Sequence, residues 1–364
     1  MELARGLDTL LYTAVVAALA PVLVALLPGP RIPQVVVLLA GGVLLGPEGL
    51  GWADRAAIDL LANVGLGFLF LLAGYELDLH LFRERAGRLA MAGWLVTLAL
   101  ATVLAGALAA AGLVRAFVVV ALGLTTTAFG TLLPILRDND LLGGRFGRYL
   151  LAAGAVGELF PIFAIALFLG ANNKFVALGS LAAVGVLAVV LLLLLLAVAE
   201  DFGLDVVLGA FLAGIVLRRW APGDVQALEG KLDAIGYGFF IPLFFVASGM
   251  TLDVRSIAEA PGRLAAFFVL LLVVRGVPAL FLYHRDLPVV RRVQLMLLTA
   301  TALPLLVALA EIGLRNGTML RENAAALVGA GALSVLVFPM AAVVIERRRR
   351  AAADRAAPAA SGPE

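Results

Sequence analysis

Two charged residues lie deep inside long apolar stretches, where an ionisable side chain is costly and usually functional. Glu158 follows a run of small apolar residues, ten positions after Arg148. In a helix that separation is about 15 Å along the axis, close to the middle of a bilayer. Burial penalises the ionised form, so we expect Glu158 to take up and release a proton. A structural carboxylate held in a permanent ion pair is the alternative interpretation.

Arg275 is the other deeply placed charge, twelve residues after Arg263 and nine before His284. A buried guanidinium needs partners, and either Glu158 or a set of backbone carbonyls would provide them. The position favours a structural or counter-ion role over direct contact with a substrate.

Two threonine-rich interruptions divide apolar segments that are otherwise helical. Matched interruptions in a membrane protein free backbone carbonyls and helix ends to bind an ion. Threonine hydroxyls add oxygen ligands that suit a hard cation, although a threonine can also simply bond to its own helix backbone. The interruptions contain Thr125, Thr126, Thr127 and Pro134 in the first segment, and Thr299, Thr301 and Pro304 in the second.

Composition narrows the class of protein that these residues serve. Hydrophobic residues make up 63% of the 364 positions and charged residues 14%, where a soluble domain would have roughly a quarter charged. There is no cysteine and there are two histidines, which leaves no basis for a disulfide, thiol, haem or zinc site. No catalytic motif is visible, so we expect no enzyme, no cofactor, no resident metal and no nucleic-acid partner. Glu311, near a helix end, is a secondary candidate that we expect to reach the membrane interface.

Apolar runs between charged or Pro/Gly breaks predict an all-α polytopic membrane protein, because each run approaches the roughly 20 residues that cross a bilayer. About twelve helices are expected. They lie near 9–27, 33–46, 57–75, 88–112, 115–136 and 149–170, and then near 175–199, 204–217, 231–250, 263–284, 291–313 and 322–346.

The second set of helices resembles the first in sequence. Four short segments recur in order at offsets of 171 to 175 residues, which favours an internal repeat over chance similarity. We assign the first repeat to 9–170 and the second to 175–346 within a transmembrane domain of 1–346. The recurring segments are 39–44 with 212–217, 65–68 with 236–239, 73–78 with 248–253, and Thr126 with Thr301.

The basic residues predict how the two repeats are oriented. Eighteen of the 27 lysines and arginines fall on one side of the predicted helices, eight fall on the other, and Arg275 lies within a span. Basic loops remain cytoplasmic, and this distribution requires inverted repeats with one additional crossing between them. The 30 residues of 171–200 cannot hold two spans. Either a linking helix is missing there, or 204–217 enters and returns without crossing.

The two termini carry weaker signals. Glu2 and Asp8 precede the first apolar stretch, so we expect a retained span and not a cleaved signal peptide. Residues 347–364 are expected to form a short, basic, disordered cytoplasmic tail, with no soluble regulatory domain after it.

Three segments together carry a family resemblance, namely 70–78, 208–216 and 242–250. They resemble the monovalent cation:proton antiporter family of the Kef and sodium/proton exchanger type. The resemblance implies inverted six-helix repeats joined by a linking helix, thirteen helices in all. It also implies a dimerisation domain, and a core domain with two crossed broken helices that match the threonine interruptions.

Further implications come from the resemblance, residue by residue. Glu158 matches the second member of the family's acidic pair, which binds the ion and the proton. Gly157 stands where relatives have Asp or Asn, and Arg275 matches a basic residue of the core. We therefore expect a homodimeric inner-membrane antiporter that exchanges Na⁺ or K⁺ for H⁺ by alternating access, electroneutrally because the first carboxylate is absent. The nucleotide-binding domain of Kef-type relatives is not expected here. The alternative is an ion-binding sensor or scaffold that does not transport.

Overall fold

The described part of the protein is helical, with no strand in residues 2–26, 33–75, 84–168, 206–220 and 225–356 of this computed structural model. The first half contains α1 (Glu2–Leu26), α2 (Gln34–Leu45), a short turn (Arg55–Ala57), α3 (Asp59–Tyr75), α4 (Arg85–Ala110), α5 (Phe117–Gly123), α6 (Phe129–Asp138) and α7 (Gly144–Phe168). The second half contains α8 (Val206–Trp220), α9 (Val225–Ile235), α10 (Ile241–Met250), α11 (Val254–Glu259), α12 (Pro261–Leu271), α13 (Val277–Leu282), α14 (Val289–Thr299), α15 (Pro304–Arg315) and α16 (Arg321–Ala356). Wide π-type turns join α9 to α10 over Gly236–Phe240 and α12 to α13 over Leu272–Gly276.

The predicted class, an all-α polytopic membrane protein, is confirmed. Among the described residues, six helical stretches are long and apolar enough to cross a bilayer. They form because apolar residues dominate each stretch while most charges lie near the ends, and because every backbone group in a membrane must be satisfied within its own helix. The stretches are Gly6–Leu26, Arg85–Ala110, Gly230–Met250, Pro261–Leu282, Val289–Arg315 and Arg321–Ala351.

The helices pack as two groups. The first group combines α1 to α3 with α8 to α10, and the second combines α4 to α7 with α12 to α16. The short helix α11 connects the two groups and packs on α16. Contacts between the groups run mainly through α7 against α8 and α3, and through α10 against α15. Each group therefore draws one part from each predicted repeat.

Packing in the first group is reciprocal. Helix α2 packs on α10, and α3 packs on α8. The second helix of each predicted repeat therefore packs on the third helix of the other. Gly42 lies against Gly249 in the first pair, and Gly74 lies against Gly214 in the second, so closely that a Cβ on any of the four would clash with the facing backbone. Small residues allow membrane helices this approach. The arrangement agrees with an internal repeat whose copies are related by symmetry.

Ion pairs show which loops share an end of the molecule. Arg145 of the first half binds Asp286 of the second, with 3.0 Å between Nη2 and Oδ1. At the opposite end, Arg255 of the second half binds Glu48 of the first over 3.0 Å. Both pairs join residues that the charge pattern assigned to the same side. The halves therefore have inverted orientation, as expected, and we call the two ends the arginine-rich end and the opposite end.

Two expectations need correction or restriction. The last helix continues to Ala356, whereas a disordered tail was expected from 347. The extension is stabilised because Arg349 and Arg350 bind Glu346 one turn earlier, over 2.8 and 3.0 Å, and an alanine run favours helix after them. The prediction that a linking helix is missing at 171–200 falls outside the described residues and stays a prediction.

Candidate functional site

The two threonine-rich interruptions meet inside the second group of helices. Residues 124–128 separate α5 from α6, and residues 300–303 separate α14 from α15. The backbone N–H of Ala128 donates to the carbonyl of Thr301 over 2.7 Å. The N–H of Thr127 donates to the carbonyl of Gly157 on α7 over 2.9 Å. The predicted crossing of two broken helices is confirmed, and it adjoins the residue before Glu158.

The five threonines are all buried, but their hydroxyls differ in what they contact. Four of them donate to carbonyls three or four residues earlier in their own helices, as the structural interpretation of threonine predicted. A donating hydroxyl keeps lone pairs that could still face a cation. The four bonds are Thr125 to Leu122, Thr126 to Gly123, Thr299 to Leu295 and Thr301 to Leu297.

Thr127 is different, because its hydroxyl joins three elements. It donates to the carbonyl of Thr299 in the other interruption over 2.7 Å. It also accepts a hydrogen bond from Nε of Arg275 over 2.9 Å. Arg275, which is 4% exposed, further donates from Nη2 to the carbonyl of Ala153 on α7 over 3.0 Å. The structure thus gives Arg275 one of the expected backbone carbonyls, that of Ala153, and adds the hydroxyl of Thr127.

Gly157 explains how a guanidinium fits at this position. A Cβ on residue 157 would clash with Nη2 of Arg275 and with Oγ1 of Thr127. The arginine head group therefore occupies the space into which a side chain at 157 would project. The positive charge lies beside the peptide that carries Glu158, where it can offset the ionised carboxylate.

Glu158 is half-buried and lines a cavity of about 30 Å³ between the two groups of helices. A cavity of that size has room for roughly one or two water molecules. Pro304, the first residue of α15, lies on the same wall, so the positive end of a half-helix faces the cavity. The remaining lining residues are Leu69, Phe70, Ile162, Tyr237 and Leu305.

Glu311, the secondary candidate, lies on α15 and is buried at the opposite end of the molecule. Arg55 binds it in two places, with 2.6 Å from Nη2 to Oε1 and 2.9 Å from Nη1 to Oε2. Arg315, one turn further along α15, binds it over 2.9 Å. The structure does not bring Glu311 to the cavity of Glu158. Sequence reasoning missed Arg55 as a partner, because 256 residues separate it from Glu311.

A second cluster that sequence reasoning missed holds the arginine-rich end together. Asp286 accepts hydrogen bonds from Arg85, Arg145 and the hydroxyl of Tyr149, all within 3.0 Å. Bonding to Arg85 and the nearby positive charges hold the pKa of Asp286 below its usual value. The carboxylate thus stays ionised at neutral pH, and its contribution to stability is lost only as the pH falls through that lowered pKa. The cluster anchors the start of α7 to the loop before α14.

Comparison with known proteins places this chain in a family. The model of the sodium/hydrogen exchanger transmembrane region matches residues 14–197 and 179–345. The chain belongs to the sodium/hydrogen exchanger family. The two matches overlap over 179–197, inside the residues 171–200 that are too few to hold two spans.

Individual relatives of this exchanger-family chain agree with that assignment. Cation/H⁺ antiporter 18 of Arabidopsis thaliana is 30% identical over 312 residues, which cover 69% of this chain and 38% of that protein. A Na⁺/H⁺ antiporter of Enterococcus hirae is 26% identical over 268 residues, covering 63% of this chain and 69% of that protein. The chain spans about half or less of the length of several curated relatives, 52% in one case and 35% in another.

A solved structure of the same fold covers almost the whole chain. The sodium proton antiporter MjNhaP1 from Methanocaldococcus jannaschii, solved at pH 8, superposes with a TM-score of 0.64. The alignment covers 96% of this chain and 99% of that one, with 17% of residues identical. This likeness shows the fold of the exchanger-family chain.

Proposed function

We propose that this protein exchanges a monovalent cation, Na⁺ or K⁺, for H⁺ at Glu158. The observation that carries the proposal is the position of Glu158 in a cavity between the two groups of helices, beside the crossing of the broken helices. A carboxylate in such a cavity can bind either a proton or a monovalent cation, because each brings one positive charge. The two ions therefore compete for one group, which is the basis of exchange.

We propose that exchange proceeds by alternating access, which the same geometry supports. The cavity lies where α7 and α15 of the second group face α3 and the turn at 236–240 of the first. A movement of one group along the other would open the cavity first to one end of the molecule and then to the other. The crossed interruptions, Arg275 and Glu158 would move as one unit, since hydrogen bonds tie the interruptions and Arg275 to each other and to α7.

Exchange should be electroneutral. Glu158 releases one proton for each monovalent cation that it binds. Arg275 keeps its charge and its partners whether Glu158 holds the proton or the cation. Gly157 provides no second carboxylate. The cation itself would bind oxygen ligands, with the Glu158 carboxylate as the charged ligand and Thr125, Thr126, Thr127, Thr299 and Thr301 as neighbouring candidates.

The cellular setting is also a proposal. We place the protein in the inner membrane as a homodimer, with the arginine-rich end and the C-terminus in the cytoplasm. Helix α1 exposes a row of leucines and valines, which lipid or a second copy would cover.

Purified protein in vesicles tests the proposal. An imposed gradient of Na⁺ or K⁺ should drive proton movement, and an imposed membrane potential should leave the initial rate nearly unchanged. Cation binding to the protein with no proton movement would favour the sensor or scaffold alternative. A rate that depends strongly on voltage would show that a second group changes its charge during the cycle.

A further inference from the structure

Helix α15 lines two cavities at the boundary between the groups of helices. Its first turn, at Pro304 and Leu305, faces the cavity of Glu158. Further along, Val307 and Glu311 line a second cavity of about 20 Å³ toward the opposite end, where Ser248 of α10 forms the facing wall. Both cavities thus lie along one helix, at the surface where the first group meets the second.

Ser248 marks the second cavity as polar. Its residue is 4% exposed, and within the described part of the chain its hydroxyl has no hydrogen-bond partner. An unpaired hydroxyl is costly in an apolar helix such as α10, where every residue is buried. Thr251, one turn later, adds a second hydroxyl to the same wall. Two hydroxyls and the Glu311 carboxylate line this small cavity together with Arg321. The oxygen atoms can contact water or a passing hard cation.

The Arg55–Glu311 ion pair lies beside this cavity at the opposite end, because Glu311 lines the cavity and Arg55 binds the hydroxyl of the lining residue Thr251. Arg55 belongs to the turn after α2 in the first group, and Glu311 belongs to α15 in the second. Their side chains are 14% and 9% exposed, and the contact is bidentate. Arg55 is held in position by Asp59 over 2.8 Å and by the hydroxyl of Thr251 over 3.2 Å. The pair therefore bridges the two groups directly beside the polar cavity.

We propose that the Arg55–Glu311 ion pair is the gate at the opposite end of an ion path that runs along α15. The path leads from Glu158 past Ser248 to the surface, and it opens when Arg55 and Glu311 separate. This inference rests on the proposed function for its physiological meaning, although the gate can be tested without transport. Arg315 binds Glu311 within the same helix, so it does not bridge the groups and is not part of the gate.

Accessibility of a single cysteine tests the gate. The chain has no cysteine, so Ser248→Cys can be labelled alone in intact cells by a membrane-impermeant methanethiosulfonate reagent. Adding Glu311→Gln or Arg55→Gln should raise the labelling rate roughly tenfold or more, because weakening the closed state by about 1.4 kcal/mol changes its ratio to the open state tenfold. Arg315→Gln is the matched control, since it removes the other partner of the same carboxylate, and labelling should stay within about twofold.

Crosslinking tests the same gate without removing a buried charge from only one side. A reversible disulfide or short crosslink between cysteines at 55 and 311 should abolish labelling at 248 and stop transport, with both restored by a reductant. The control pair replaces Arg263 and Glu322, an exposed ion pair of 2.6 Å within the second group, and its crosslink should leave both unchanged.

The outcomes separate the gate from the proposed function. Equal labelling in the Glu311→Gln, Arg55→Gln and unmodified backgrounds would overturn the gate, as would a 55–311 crosslink that leaves transport intact. Increased labelling in both gate variants, together with no cation-driven proton movement in the wild-type chain, would support the gate and refute the antiport proposal.

Discussion

Gly157 lies next to Glu158 in the chain and leaves the space that the head group of Arg275 fills. The arginine lies against residue 157 and reaches the carbonyl of Ala153. Its positive charge is therefore held near a single carboxylate, with no second acid at 157. If Glu158 is the exchanging group, as proposed, this combination predicts one-for-one exchange.

Glu158→Gln should abolish cation-linked proton movement in vesicles, because the amide keeps the shape of the side chain but can neither ionise nor release a proton. Insertion into the membrane should be unchanged. Glu158→Asp should retain partial activity with an altered preference among cations. Glu322→Gln, which changes an exposed glutamate, is the control and should transport normally. Full activity of Glu158→Gln would refute the mechanism.

Gly157→Ala should destabilise the protein, because the new Cβ would displace Arg275 or Thr127. We expect a loss of about 1–3 kcal/mol, the usual cost of overpacking, measured by thermal unfolding in detergent. Gly262→Ala is the matched control, since a Cβ there meets open space. An unchanged melting temperature for Gly157→Ala would show that Arg275 does not occupy this position.

At the scale of elements, the crossing depends on contacts between helices more than on the breaks themselves. Most of the threonine hydroxyls bond locally, to carbonyls three or four residues earlier. Thr127 is the residue that joins the two interruptions and Arg275. The sequence identified the interruptions, but it could not distinguish Thr127 from its neighbours.

Thr127→Val should therefore destabilise the protein far more than Thr125→Val. Valine at 127 removes a bond to each of two neighbouring elements and leaves Nε of Arg275 without its acceptor, at a cost of about 1–3 kcal/mol. Valine at 125 removes one local bond and should cost less than about 1 kcal/mol. Parallel thermal unfolding of the two variants measures the difference. Equal losses would show that Thr127 has no special role in the crossing.

At the scale of the whole molecule, ion pairs at both ends join the two halves. Asp286 binds Arg85 and Arg145 at the arginine-rich end, and Arg55 binds Glu311 at the opposite end. The first cluster lies within the second group of helices, whereas the Arg55–Glu311 pair bridges the groups. The two ends therefore differ. The cluster at the arginine-rich end would stay intact if the groups moved relative to each other, whereas the Arg55–Glu311 contact at the opposite end would break.

Single cysteines in the loops 138–147 and 285–292 should be labelled from the same side of the membrane, because Arg145 and Asp286 are in direct contact. The basic residues of both loops predict that this side is cytoplasmic. Membrane-impermeant reagents applied to intact cells and to inverted vesicles provide the measurement. Labelling of the two loops from opposite sides would contradict the inverted arrangement of the halves.

Much of the architecture could be predicted because the local amino-acid composition shows where a membrane helix lies in the sequence. Apolar runs gave the spans, and the recurring segments and the arginines gave two inverted halves. Threonine and proline placed the interruptions. The extension of α16 to Ala356 was missed because a basic segment looks disordered until its partners at Glu346 are known.

The sequence by itself determined the class of the protein, the position of its deep charges and the orientation of its halves, because hydropathy and loop charge act locally along the chain. Only the tertiary structure decided which side chains meet. Thr127 with Arg275, Arg275 with the space beside Gly157, and Arg55 with Glu311 are contacts between residues 118 to 256 positions apart. Such pairings depend on how helices cross and on how closely small residues let them approach, and these are properties of packing that no local pattern records.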